Sequence, residues 1–295
     1  MGKIVRAISG DFAIRMFAID STDMAEEARK IHDTTPVVTA ALGRMITAAS
    51  MMGVMMKGDN DKLTLVIKGD GEVKNITCVA DSKGTVKAYP VNPYVDLPVR
   101  ESDGKLDVSG AIGKNGTLTV MRDFGLKDPY IGQIDLVSGE IAEDLTAYYA
   151  YSEQQPSAIA LGVLVDTDLS VKSAGGFIIQ LMPDATEEQI VKLETNLAKI
   201  KSVSHFIDEG HSPEKLVEIL LDGMNPVIND TIEVKLACDC SRDRMERALI
   251  SIGIKDLEEI LHEDKKAEIQ CHFCNKKYDF DENDLTKLID ALKNN

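Results

Sequence analysis

The sequence predicts an α+β fold in three parts: an N-terminal domain with a mainly antiparallel sheet plus helices (1–183), a helical linker (184–230) and a small C-terminal module (231–295). Three observations carry this reading. Short alternating runs separated by turn residues fill Lys62 to Leu136, and apolar residues recur at helical spacing from Thr186 onward. The last 58 residues hold two close cysteine pairs, Cys238-Asp-Cys240 and Cys271-His-Phe-Cys274. At 295 residues and 44% hydrophobic content, the chain is long enough for more than one core.

Phe12, Ile14, Met16 and Ala18 alternate at period two, so the chain opens with a hairpin, and Asp20-Ser21-Thr22 then gives a helix-cap signal. Thr35-Pro36, a cap and first-turn pair, opens an apolar helix to about Met56, where Gly58 and Asp59 stop it. Met45, Met51, Met52, Met55 and Met56 crowd this helix; burial in the core is expected, and a methionine-rich partner surface is the alternative. KLTLVIK, VKNITCVAD, GTVKAYP and GTLTVMRD, with Gly69-Asp70-Gly71, Ser82-Lys83-Gly84 and Lys114-Asn115-Gly116 between or before them, read as a meandering antiparallel sheet. Within it Cys78 reads as a small buried hydrophobe. A helix near 139–151 follows, then SAIALGVLVD and GGFIIQLMP as buried strands, closing the domain near Pro183.

In the linker, Thr186 and Gln189 form a capping-box pattern, and Ile190, Leu193, Leu197 and Ile200 mark one helical face. Ser212-Pro213 opens a second helix with Leu216, Val217, Leu220 and Leu221. Each helix carries only a narrow apolar stripe, so the segment is expected to be docked and to take its stability from what it leans on.

Charge and motifs exclude several functions. The net charge of −16 opposes binding to nucleic-acid backbones, and from Thr231 to the end 11 Lys or Arg face 15 Asp or Glu. GAIGKNG is not a phosphate-binding GxxxxGK[ST] loop. The amino terminus lacks the apolar run of a signal peptide, and no segment approaches the roughly 20 uncharged apolar residues of a membrane helix. The expected location is the cytoplasm, without membrane partners, where resting thiols are reduced and clustered cysteines bind metal or do redox chemistry.

Four thiolates drawn from two segments make a closed tetrahedral site for one zinc ion, and equally make two nearest-neighbour disulfides waiting to form. The CxC disulfide would close a very small ring and be strained and reducible. Asn275, after the last cysteine, suits the left-handed backbone of a metal knuckle. His262 and His272 are competing ligands in principle, but four cysteines already fill a tetrahedron. The module's core is thin: Leu249, Ile250, Ile252, Ile254, Leu257, Ile260 and Leu261, then Phe280, Leu285, Leu288 and Ile289. A domain of about 60 residues is marginal without a staple, and structural zinc contributes roughly 10–16 kcal/mol of apparent binding energy. Folding is therefore expected to depend on metal. Spacing alone leaves a permanent clamp and a switch both open, and the clamp is the simpler reading.

CDCSRDR, followed 30 residues after Cys240 by CHFCNKKYDF, resembles the zinc-binding redox switch of the heat-shock protein 33 family of bacterial chaperones. TPVVTAALGRMITAASMM, LVIKGDGEV, YSEQQPSAIALGVLV and SAGGFIIQLMP are similar to that family's N-terminal domain, in the same order. Asn275 stands where other members often carry Gly. The resemblance implies a holdase that uses no ATP and is not an enzyme, with Cys238, Cys240, Cys271 and Cys274 holding zinc in the inactive reduced form. It further implies oxidation to Cys238–Cys240 and Cys271–Cys274 disulfides, loss of zinc, melting of module and linker, and capture of unfolding client proteins on apolar surface. Ile190, Leu193, Leu197 and Ile200 are the candidate client surface, and a homodimer is the expected active assembly. Loops of three or four residues constrain an unfolded chain far less than one of about 30, so nearest-neighbour disulfides would replace little of zinc's stabilisation. The rival readings are a thiol-disulfide oxidoreductase using CHFC and a static zinc scaffold for one defined partner.

Overall fold

A computed structural model describes residues 1–293. The chain divides into two compact units, Met1–Ala237 and the part from Cys238 onward. The first contains, in order, β1 (Gly2–Ile8), β2 (Ile14–Asp20), α1 (Thr22–His32), α2 (Pro36–Val54), β3 (Lys62–Gly69), β4 (Asn75–Asp81), β5 (Thr85–Pro90), α3 (Val108–Ile112), β6 (Gly116–Asp123) and β7 (Tyr130–Asp135). It continues with α4 (Ala142–Tyr151), β8 (Ser157–Val165), β9 (Val171–Leu181), α5 (Glu187–Leu197), α6 (Val203–Asp208), α7 (Pro213–Leu220) and β10 (Val227–Leu236). All ten strands share one sheet, in the order β7-β6-β3-β4-β5-β10-β1-β2-β9-β8.

The opening hairpin forms as its alternation predicts, except that Phe12 sits in the turn, 69% exposed and with φ of 64°. The Asp11 carboxylate closes that turn, accepting from the Ser9 hydroxyl (2.5 Å) and the Ala13 N–H (3.1 Å). At the start of α1, Asp20 does the capping: its carboxylate accepts from the Thr22 N–H at 3.0 Å and hydroxyl at 2.7 Å. Thr35 precedes α2, yet its hydroxyl donates to the Val95 carbonyl at 2.6 Å and anchors a loop instead.

The helix α2 is buried almost all round, with Met45, Met51 and Met52 at most 1% exposed; Met55 and Met56, just past its end, are half-buried against the same core, so the methionines chiefly fill the core. Gly43 permits a close approach to β8, because a Cβ there would lie 2.8 Å from Val163 Cγ2. At 19 residues, α2 is the one described helix long and apolar enough to cross a membrane, which the sequence reading did not allow for; 94% of its apolar window is buried inside the protein.

Two arrangements differ from expectation. β3, β4 and β5 meander, but β6 pairs antiparallel with β3, Leu65 opposite Val120, and not with β5. The outer edge of β5 is taken by β10, parallel to it with Lys235 opposite Thr85, so β6 returns to the open edge of β3. β10 is the second difference. Its residues span the expected boundary between linker (184–230) and module (231–295), yet they form a central strand paired with β1, Ile232 opposite Ile4. The first unit therefore extends past 183 and 230 to Ala237, because the alternation of TIEVKL satisfies a sheet that lacked a strand between β1 and β5.

One face of the sheet buries α1, α2 and α4 around Ile4, Leu42, Met45, Leu65 and Tyr148. Residues of the other face, including Val5, Ile14, Met16 and Phe177, meet the linker helices through Leu193, Val203, Leu216, Leu220 and Met224. Buried Asn196 ties α5 to the end of α7, donating to the Leu220 and Asp222 carbonyls at 3.2 and 3.1 Å. β9 is buried as read, whereas β8 is half-buried along its whole length: its two faces pack on different cores while its outer edge is the sheet's edge.

The second unit holds α8 (Arg242–Ser251), α9 (Ile254–Glu263), a hairpin of β11 (Ala267–Gln270) and β12 (Lys277–Phe280), and α10 (Glu282–Lys293). Its buried core is Leu249, Leu257, Tyr278, Phe280, Leu285 and Ile289. Ile252, expected in this core, is 44% exposed.

Candidate metal centre

The first cysteine pair lies on the extended segment leading into α8. Ser241 caps that helix, its hydroxyl accepting from the Arg244 N–H at 3.3 Å, and so fixes how the chain leaves Cys240. Arg242 braces the same point: its guanidinium lies 4.4 Å from the Phe280 ring centroid and donates to the Asp279 carbonyl at 2.9 Å. The second pair is carried by the tip of the β11–β12 hairpin. There Asn275 adopts φ of 57°, its N–H bonds the Cys271 carbonyl at 2.8 Å, and the Cys271 N–H bonds the Lys276 carbonyl at 2.9 Å. This tight reversal brings Cys271 and Cys274 to the same side.

Together the two segments place all four sulfurs within 4.8 Å of one another. Two separations between the segments are short, Cys238 to Cys271 at 3.6 Å and Cys240 to Cys274 at 3.4 Å. Four sulfurs at about 2.3 Å from one tetrahedral ion would lie about 3.8 Å apart, so a cluster of this size could hold a metal ion. Neither His262 nor His272 belongs to the cluster, among the described residues.

Three of the thiols are shifted, in different directions. Burial pushes Cys238 and Cys274 up. Burial also acts on Cys240, but the Tyr278 hydroxyl, donating to its Sγ at 3.1 Å, and the neighbouring thiols outweigh it and bring Cys240 down to about 7. Tyr278 is raised to about 12 by that same bond. Sequence reasoning missed this tyrosine; the signal was the alternation of KYDF, which puts Tyr278 on the same inward face as Phe280. Cys78, on β4, is fully buried, and burial pushes its thiol well above the ordinary range.

The four linker residues also come together. Leu193 is 4% exposed and Leu197 and Ile200 pack half-buried against the second face of the sheet, with Ile190 half-buried one turn before Leu193. In this state the stripe is largely covered.

The model of the family described as Hsp33 protein matches residues 2–281. A 33 kDa chaperonin of Clostridium perfringens is 52% identical over 288 residues, covering 98% of this chain and 90% of its own length. A 33 kDa chaperonin of Clostridioides difficile is 52% identical over 289 residues, covering 98% of this chain and 99% of its own. The crystal structure of a 33 kDa chaperonin (Hsp33 homologue) from Thermotoga maritima superposes with a TM-score of 0.92 at 36% identity, covering 99% of each chain.

Proposed function

The chain belongs to the Hsp33 family, and on that premise we propose that it is a redox-regulated holdase: a chaperone that uses no ATP, is held inactive by a reduced four-thiolate zinc centre and is activated by oxidation of those thiols. The observation that carries the reading is the convergence of four sulfurs from two chain segments within 4.8 Å, in a unit whose buried core is only six side chains.

Cys238, Cys240, Cys271 and Cys274 are the ligands, and a zinc ion bound there would supply the cross-link between the two segments. A thiolate attacks peroxide, breaking the O–O bond and becoming a sulfenic acid; a second thiol then displaces its oxygen as water and closes a disulfide. Each pair of thiols thus consumes one peroxide and yields two waters. Nearest-neighbour pairing, Cys238–Cys240 and Cys271–Cys274, closes only tiny loops and leaves the two segments unconnected. The short Cys238–Cys271 and Cys240–Cys274 separations make cross-pairing the alternative, which would staple the unit shut, so the pairing is a distinguishing test.

Unstapled, the small core no longer outweighs chain entropy. Cys238 follows directly on Ala237, whose N–H bonds the Val86 carbonyl at 2.8 Å at the end of β10. Fraying there runs back along β10 toward α7 and the docked linker. Undocking uncovers Ile190, Leu193, Leu197 and Ile200 as apolar surface for unfolding clients in the cytoplasm, while the −16 charge keeps the loaded chaperone soluble.

The test is suppression of light scattering from a thermally unfolding client by the reduced, zinc-loaded chain and by the peroxide-treated chain. Suppression by the oxidised form alone supports the reading, and equal suppression by both rejects it. Turnover of a small disulfide by catalytic amounts of the protein would favour the oxidoreductase instead.

A further inference from the structure

We propose that Tyr278 is a positioning residue of the thiolate centre, which orients Cys240 and couples the state of that one sulfur to the core of its unit. The inference rests on the reading that the four cysteines hold zinc. Tyr278 joins two environments: the residue is 7% exposed and belongs to the core with Leu249, Phe280 and Leu285, while its hydroxyl donates to Cys240 Sγ at 3.1 Å. Lys276 adds its ammonium 5.0 Å from the ring centroid, which holds the ring from its outer side. The hydrogen bond has one recipient, so Cys240 differs from the other three ligands.

A phenol donating to a thiolate makes a charge-assisted bond, which lowers that sulfur's donor strength and fixes its rotamer. When Cys240 enters a disulfide its sulfur is neutral, and the Tyr278 hydroxyl keeps only a weak acceptor there. The strain falls on β12, whose next inward residue is Phe280, the largest fully buried side chain in that core. Oxidation at Cys240 thereby reaches the packing of the unit through one side chain, in addition to the loss of the cross-link.

The experiment compares the full-length reduced protein with Tyr278→Phe, which keeps the ring and removes only the hydroxyl, both loaded with cobalt(II). The expected result is a shift of the thiolate-to-cobalt charge-transfer band and metal loss to a chelator faster by roughly ten- to a hundredfold. Phe280→Leu serves as a packing control and should lower stability while leaving the band in place. An unmoved band with unchanged metal loss, or an unmoved band with the lowered stability that Phe280→Leu shows, overturns the proposal by making Tyr278 an ordinary core residue. A Tyr278→Phe chain that cannot fold with cobalt present overturns it too, since a positioning role leaves four sulfurs able to hold the ion. If the unmutated chain binds no cobalt, the zinc reading itself fails.

Discussion

At the scale of single residues, the five cysteines separate by environment. Cys78 lies fully buried in the main core, and burial pushes its thiol up, so alkylation of the folded reduced protein at neutral pH should spare it. Cys78→Ala should leave the redox response intact and cost about 1 kcal/mol in packing, measurable by chemical denaturation. Cys271→Ser removes one of four ligands and should abolish tight zinc binding, with helix content lost under reducing conditions as well; an unchanged zinc stoichiometry would exclude Cys271 as a ligand. The candidate ligands were legible because CxC and CxxC are local patterns with one chemical purpose. Tyr278 was not, because a tyrosine two residues before Phe280 reads equally as core, and only the folded hairpin aims its hydroxyl at sulfur.

Among the elements, α5 is the one whose surface the proposed activation exposes. Its capping box is formed as the sequence implies: Thr186 Oγ1 accepts from the Gln189 N–H at 3.4 Å, and Gln189 Oε1 accepts from the Thr186 N–H at 2.7 Å. Leu193→Ala should destabilise docking by about 2–4 kcal/mol and lower the temperature at which the reduced protein begins to suppress client aggregation. Val191→Ala, on the 52% exposed face, should change neither. The helix α1 offers a pH test. The Arg29 guanidinium, bonded to Glu26 at 2.8 Å, chiefly holds that carboxyl down at about 2 against the cost of burial, and the Val171 N–H adds a bond at 2.9 Å. Because the folded value lies below the unfolded one, the pair stabilises fully above about pH 4.5 and the contribution, about 2 kcal/mol, fades as pH falls toward 2. The melting temperatures of the wild type and Glu26→Gln should therefore differ at pH 6 and converge near pH 2. Helices with caps and stripes could be read from sequence, whereas α6, six residues long, carries too few turns to show a period.

For the whole molecule, what the sequence hid was pairing. TIEVKL alternates as plainly as any strand, but its partners, β1 and β5, lie more than a hundred residues away. Nothing local says that β10 completes the large sheet rather than opening the cysteine module. The β6-to-β3 return has the same cause, since strand order depends on which edges remain free after distant strands have docked. This placement of β10 puts the cysteine segment at the residue after the first unit ends, so in the proposed switch loss of the sulfur cluster frees the end of a central strand. Cross-linking Cys240 to Cys271 irreversibly with a short bis-maleimide should keep the protein inactive under peroxide, as a loop of about 30 residues is then closed.

The decisive measurement is a single time course with peroxide at raised temperature, following zinc release, helix content and client protection in one sample. Zinc release, loss of helix signal and gain of protection should rise together, with disulfides Cys238–Cys240 and Cys271–Cys274 in the mass map. Zinc release without any gain of protection, or full protection while zinc is still bound, would contradict the proposed switch.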